Sequence, residues 1–211
     1  MTAIKHHITP SVMADYRSGK LSHPFAVVVA AHLSICDECR ATQEAEDMLG
    51  GALLEQNDKA QMPSDARARI MSALDAPMVQ PKPIRGSGIF PAPVMAELQG
   101  KPPRWRMLGG GIRQQILSAD SEGSLRLLYI PPGKAVPEHG HGGLELTLVL
   151  QGSFSDSEGH FARGDVETAQ DEIEHQPIAG EGLPCICLAA TDAPLRFQAF
   201  LPRLLQPLFR I

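Results

Sequence analysis

His32, Cys36 and Cys39 crowd into the stretch A-H-L-S-I-C-D-E-C-R. An imidazole and two thiols are soft donors that suit a tetrahedral Zn2+ better than a hard cation. On a helix His32 and Cys36, four apart, share a face, and Cys39 follows at or just past a turn. One element thus offers three ligands. The fourth must come from elsewhere, and His6, His7 and His23 are the candidates. Two other readings exist: a buried helix histidine with apolar cysteines, and a redox pair. A redox C-x-x-C usually follows a strand in a βαβ setting, which this stretch lacks. A domain of about 75 residues has a modest core, so a structural metal would help it fold.

A second cluster reads E-H-G-H-G-G-L-E, from Glu138 to Glu145. His139 and His141 alternate by two, and Glu145 is an even step further on, so a continuous strand would put all three on one face. His175 follows a turn at Gly164-Asp165. Three imidazoles and one carboxylate suit Zn2+ or another divalent transition metal such as Fe, Mn, Ni or Cu. His160 reads as the end of a hairpin, with membership of this site as the alternative. Cys185 and Cys187 share one strand face, where spacing by two is expected to keep the thiols too far apart for an easy disulfide. They read as core, with oxidation-sensitive thiols or accessory ligands as the alternative. Trp105 reads as a core residue.

The elements that must carry these side chains fall into three segments. From Thr9 to Asp75 the periodicity is helical. Thr9-Pro10 is a cap followed by proline at the first helical position, and that helix should end near Gly19. A second helix starts at Ser22 with Pro24 just inside. Glu44 to Glu55 continues as helix, weakened by about 1 kcal/mol at each of Gly50 and Gly51. Arg67, Ile70, Met71 and Leu74 outline a short fourth helix. Between Ala76 and Pro103 the prolines of A-P-M-V-Q-P-K-P and F-P-A-P predict an extended linker. Beyond Trp105, runs such as S-L-R-L-L-Y-I and L-E-L-T-L-V-L alternate with P-P-G, Q-G and R-G-D. Such short strands suggest a sandwich or barrel. The expected boundaries are 1–76, 77–104 and 105–211.

Composition narrows the function. Nineteen Lys and Arg against 24 Asp and Glu leave a net charge of -5, so there is no basic surplus for binding a nucleic-acid backbone. No apolar stretch reaches the roughly 20 residues of a membrane span, and the polar start is no secretory signal. A cytoplasmic protein with reduced thiols is expected.

The first cluster resembles the zinc-binding anti-sigma (ZAS) domain of bacteria, in the match I-K-H-H-I-T followed by L-S-H-P-F-A-V-V-V-A-A-H-L-S-I-C-D-E-C-R. The resemblance implies His7, His32, Cys36 and Cys39 as zinc ligands; spacing alone does not separate His6 from His7. The second cluster resembles the cupin family: Gly133, His139, His141, Glu145 and Gly152 match its first motif, Gly164 and His175 its second. Prolines that usually flank the motif are missing, with Arg163 before Gly164. The ligands so implied are His139, His141, Glu145 and His175. The implied fold is a small four-helix zinc-binding domain followed by an antiparallel β-barrel, the cupin double-stranded β-helix. The implied function is non-enzymatic: an anti-sigma factor that holds an extracytoplasmic-function (ECF, SigE-like) sigma factor inactive and frees it under singlet oxygen or related oxidative stress. Partner contacts would fall on apolar helix faces, with Ile70, Met71 and Leu74 either anchors in a groove or intradomain core. The competing reading is a metal-dependent cupin oxygenase with a helical appendage.

Overall fold

The computed structural model of the protein describes residues 3–75, 83–140, 142–169, 174–193 and 196–197. Helix α1 (Pro10–Arg17) starts as its sequence predicts: the Val12 N–H donates to Thr9 Oγ1 at 3.4 Å and Pro10 occupies the first turn. Helix α2 (His23–Leu33) is apolar on almost every side. Such a helix must be surrounded, and α2 touches α1, α3 and α5 as well as strands β3, β5 and β11. Helix α3 (Asp37–Glu55) absorbs Gly50 and Gly51 without a break and buries only Cys39. Helix α4 (Ala66–Leu74) buries nothing.

The expected four-helix count needs correction. Among the described residues there are five helices, and they do not form a four-helix bundle because α4 adds nothing to the core. The fifth, α5 (Ala92–Glu97), lies in the stretch expected to be an extended linker and buries Val94 and Met95 against α2. Its prolines sit in the first turn, where the missing N–H costs nothing; reading them only as helix breakers missed the element. Residues 76–82 of the same stretch lie outside the described residues.

The β region is antiparallel throughout. Six strands, β1 (Arg106–Gly109), β2 (Ile112–Asp120), β3 (Gly123–Ile130), β11 (Cys185–Thr191), β5 (Glu145–Gln151) and β8 (Val166–Ala169), lie side by side in that order. A three-stranded sheet runs β10 (Ile178–Ala179), β6 (Ser153–Ser155), β7 (His160–Ala162). Another runs β12 (Arg196–Phe197), β4 (His139–Gly140), β9 (Glu174–His175). The expected closed barrel is not what the described residues form: the large sheet ends at β1 and β8, which do not pair with each other.

Both faces of the large sheet are covered, which explains its continuous apolar runs. Leu146, Leu148 and Leu150 of β5, with Ile186, Leu188 and Ala190 of β11, join Val28, Val29 and Ala31 of α2 in one core. The alternate side chains, Val149 of β5 with Cys185 and Cys187 of β11, face the other way and pack with Phe154, Phe161 and Ala179. The side-chain period of two thus sends one set of residues to the helices and the other to the opposite face of the sheet.

Candidate metal centres

At the end of α2 the chain turns sharply, and this turn builds the first centre. The expectation of one helix carrying both His32 and Cys36 is corrected: α2 ends at Leu33, and Cys36 is the N-cap of α3. The Cys36 N–H still donates to the His32 carbonyl at 2.8 Å, which holds the two residues at helical separation across the break. Cys39 lies in the first turn of α3, and its N–H donates to Cys36 Sγ at 3.4 Å.

His7 completes the group from the extended segment before α1. Ligating atoms of His7, His32, Cys36 and Cys39 all lie within 4.8 Å of one another. His7 Nδ1 is 3.4 Å from each sulfur, and His32 Nε2 is 3.2 Å from Cys39 Sγ. In a tetrahedron with Zn–S of ~2.3 Å and Zn–N of ~2.0 Å, neighbouring N and S atoms stand about 3.5 Å apart. The donor set and its spacing fit Zn2+. His6 is turned away, its ring tilted against Phe161 at 4.4 Å between centroids. His23 pairs with Glu97 at 3.0 Å on the surface.

Each imidazole uses its second nitrogen elsewhere. His32 is fully buried and donates Nδ1–H to the Gly164 carbonyl at 3.0 Å, which leaves the Nε2 lone pair towards the thiols. His7 Nε2 is 3.5 Å from Glu38. Burial holds the His32 pKa down to about 4, helped by His7 and opposed by Gly164 and Asp165. Burial pushes the Cys39 thiol up to about 11, with Cys36 and Glu38 adding negative charge against an opposing Ile8 backbone hydrogen bond. A metal taken up here therefore displaces a proton.

The second cluster is assembled across strands rather than along one. His139 on β4 and Glu145 on β5 belong to different sheets, so the expectation that an even step keeps them on one strand face is corrected. His139 instead pairs in register with His175 on β9, and their rings stand 4.8 Å apart. His139, Glu145 and His175 are all buried; His141 lies outside the described residues. His139 Nδ1–H donates to the Pro137 carbonyl at 2.8 Å, and the Thr147 hydroxyl donates to Glu145 Oε1 at 2.9 Å. These contacts fix the two side chains from behind.

Two carboxylates absent from the sequence reading, Asp156 and Glu167, stand with His175, their donor atoms within 4.8 Å of one another. His175 Nδ1–H donates to Asp156 Oδ2 at 2.7 Å and lies 3.3 Å from Glu167 Oε1. Burial alone would lower the His175 pKa, but Glu167, Asp156 and Glu145 carry it up to about 9. Burial raises Glu167 to about 7, with Asp156 adding to the rise against His175. Only the inward turn of strand V-E-T-A marks Glu167, and nothing local marks Asp156. Cys185 and Cys187 are core, as expected, but their sulfurs are only 3.4 Å apart, closer than strand spacing suggested. His160 opens β7 at the β6–β7 hairpin and bonds Ser155 Oγ at 2.8 Å. Trp105 is half-buried edge-on to Tyr129 at 5.8 Å.

Helices α3 and α4 also carry exposed apolar side chains. Met48, Leu49, Leu53 and Leu54 of α3 and Ile70, Met71 and Leu74 of α4 are each more than half exposed. Met62, Pro63, Ile70 and Met71 line a shallow groove of about 330 Å³. Ile70, Met71 and Leu74 are therefore surface residues of the chain, not intradomain core. Among the described residues no helix is long and apolar enough to cross a membrane.

Residues 97–193 match the family described as ChrR cupin-like domain. The chain is 51% identical over 212 residues to the anti-sigma-E factor ChrR of Cereibacter sphaeroides, covering 99% of each. It is also similar to the crystal structure of Rhodobacter sphaeroides SigE in complex with the anti-sigma ChrR. There the TM-score is 0.79 and the identity 47%, over 90% of this chain and 100% of that one.

Proposed function

The chain belongs to the ChrR family of anti-sigma factors, and from that membership we propose that it binds an ECF sigma factor and keeps it from RNA polymerase. The role is regulatory and not enzymatic. The observation that carries the reading is the set of exposed apolar side chains on α3 and α4, in a chain that also gathers donors suited to zinc. Exposed apolar side chains gathered on a helix face mark an interaction surface, and amphipathic helices dock through such faces.

His7, His32, Cys36 and Cys39 would hold Zn2+, which would supply cross-linking of α2, α3 and the N-terminal segment, with no chemistry of its own. His139, Glu145 and His175, with His141, would hold Zn2+ or another divalent transition metal in the cupin interior. The cupin region would be the sensor for singlet oxygen or a related oxidant, since buried imidazoles and the Cys185–Cys187 thiols are oxidisable. The division is 1–76 for inhibition and 105–211 for sensing, with 77–104 between them. The protein would act in the cytoplasm, where its partner transcribes.

The test is direct. The full chain mixed with its ECF sigma factor should elute as one complex and suppress sigma-dependent transcription by RNA polymerase. Cys36→Ser should weaken both. Separate elution of the wild-type chain and sigma factor, with transcription unaffected, would overturn the proposal.

A further inference from the structure

The turn between β7 and β8 reaches out of the cupin region and touches the first centre on two sides. Gly164 supplies the carbonyl that receives His32 Nδ1–H at 3.0 Å. Asp165, only 2% exposed, accepts the Lys5 and His6 backbone N–H groups on Oδ1, at 2.6 and 3.0 Å. The Val166 N–H returns a bond to the His6 carbonyl at 3.0 Å. The peptide that carries His7 is thereby pinned at the residue before it.

The turn is itself rigid. Asp165 Oδ2 accepts the Ala162 N–H at 2.7 Å, while Gly164 and Asp165 exchange backbone bonds with Val149 of β5 at 2.8 and 3.0 Å. Gly164 is required here: its φ is +98°, and a Cβ would stand 2.7 Å from two side-chain carbons of Ile4. The same strand continues to Glu167, 3.3 Å from His175 in the second centre.

Resting on the reading of the first centre as a metal site, we infer that Gly164 and Asp165 of the cupin region are positioning residues for it. Gly164 sets the tautomer of His32, and Asp165 sets the reach of His7. Both imidazoles of the anti-sigma centre are thus oriented by the domain to which the centre does not belong. Partners of this kind change metal affinity by about 10–100-fold when removed. Any event that displaces the turn withdraws support from both imidazoles together.

The test uses the full chain loaded with Co2+ at the first centre, read by its sulfur-to-cobalt charge-transfer band and by competition with a chelator. Asp165→Ala should bind the metal about 10–100-fold more weakly, with altered cobalt ligand-field bands. Asp165→Asn, which keeps one acceptor oxygen, should lose less in the same direction. If Asp165→Ala does not fold, judged by the near-ultraviolet signal of Trp105, the Asn variant decides. Affinity and spectrum equal to wild type in the folded variant, even with a lowered melting temperature, would overturn the inference. Absence of the band in the wild-type chain would instead refute the metal reading on which it rests.

Discussion

Leu54 of α3 and Leu74 of α4 are each 72% exposed, which separates binding from folding. Burying a whole leucine side chain contributes about 1.5–3 kcal/mol. Covering the exposed three-quarters of one against a partner is therefore worth roughly 1–2 kcal/mol, or about 5–30-fold in Kd. Replacing both with alanine should weaken sigma-factor binding by about 30-fold or more if the sites act independently. The free chain should scarcely notice, because exposed substitutions change stability by about 0.5 kcal/mol or less and alanine is the better helix former. Titration calorimetry with the purified sigma factor gives the first quantity and thermal unfolding of the free chain the second. An unchanged Kd in the double variant would refute the docking surface. A fall in melting temperature like that of a core truncation would show that these residues are packed after all.

Leu188→Ala supplies that comparison: the side chain is fully buried between α2 and the large sheet, so denaturant unfolding should show a loss of about 2–5 kcal/mol. Cys36→Ser should abolish most of the sulfur-to-cobalt charge transfer at the first centre while leaving the near-ultraviolet signal of Trp105 in place. In the metal-free chain, His32 is held at about 4 against an ordinary 6.5. A depressed histidine stabilises fully above its unfolded value, and that contribution, about 3 kcal/mol, should disappear as the pH falls from 6.5 towards 4. Urea unfolding at the two ends of this window checks it, and His32→Gln should flatten the difference. Metal uptake near neutral pH should release protons, measurable in weakly buffered solution, because burial keeps Cys39 protonated with a pKa of about 11.

Local chemistry made much of the first centre readable in advance. The i, i+4, i+7 spacing of His32, Cys36 and Cys39 survives even though the helix breaks between them, because the Cys36 N–H keeps its bond to the His32 carbonyl. The starts of α1 and α2 were equally legible, since an early proline in each, with the Thr9 cap at α1, acts within a single turn. In the β region only the residue types were legible. His139 and Glu145 come from different sheets, and His175 reaches His139 by strand pairing, which no spacing in the chain encodes.

What the amino-acid order determined alone is the inventory: soft donors at one turn, borderline donors in the β region, no cationic surplus, and helices with apolar residues on more than one side. What only the tertiary structure decided is the use of that inventory. It selected His7 and turned His6 onto Phe161, because the two neighbours point to opposite sides of an extended backbone held by Asp165. It also brought Asp156 and Glu167 to His175 and the Gly164 carbonyl to His32. Those contacts join residues far apart in the chain, so they follow from how the sheets and α2 pack and not from any local pattern.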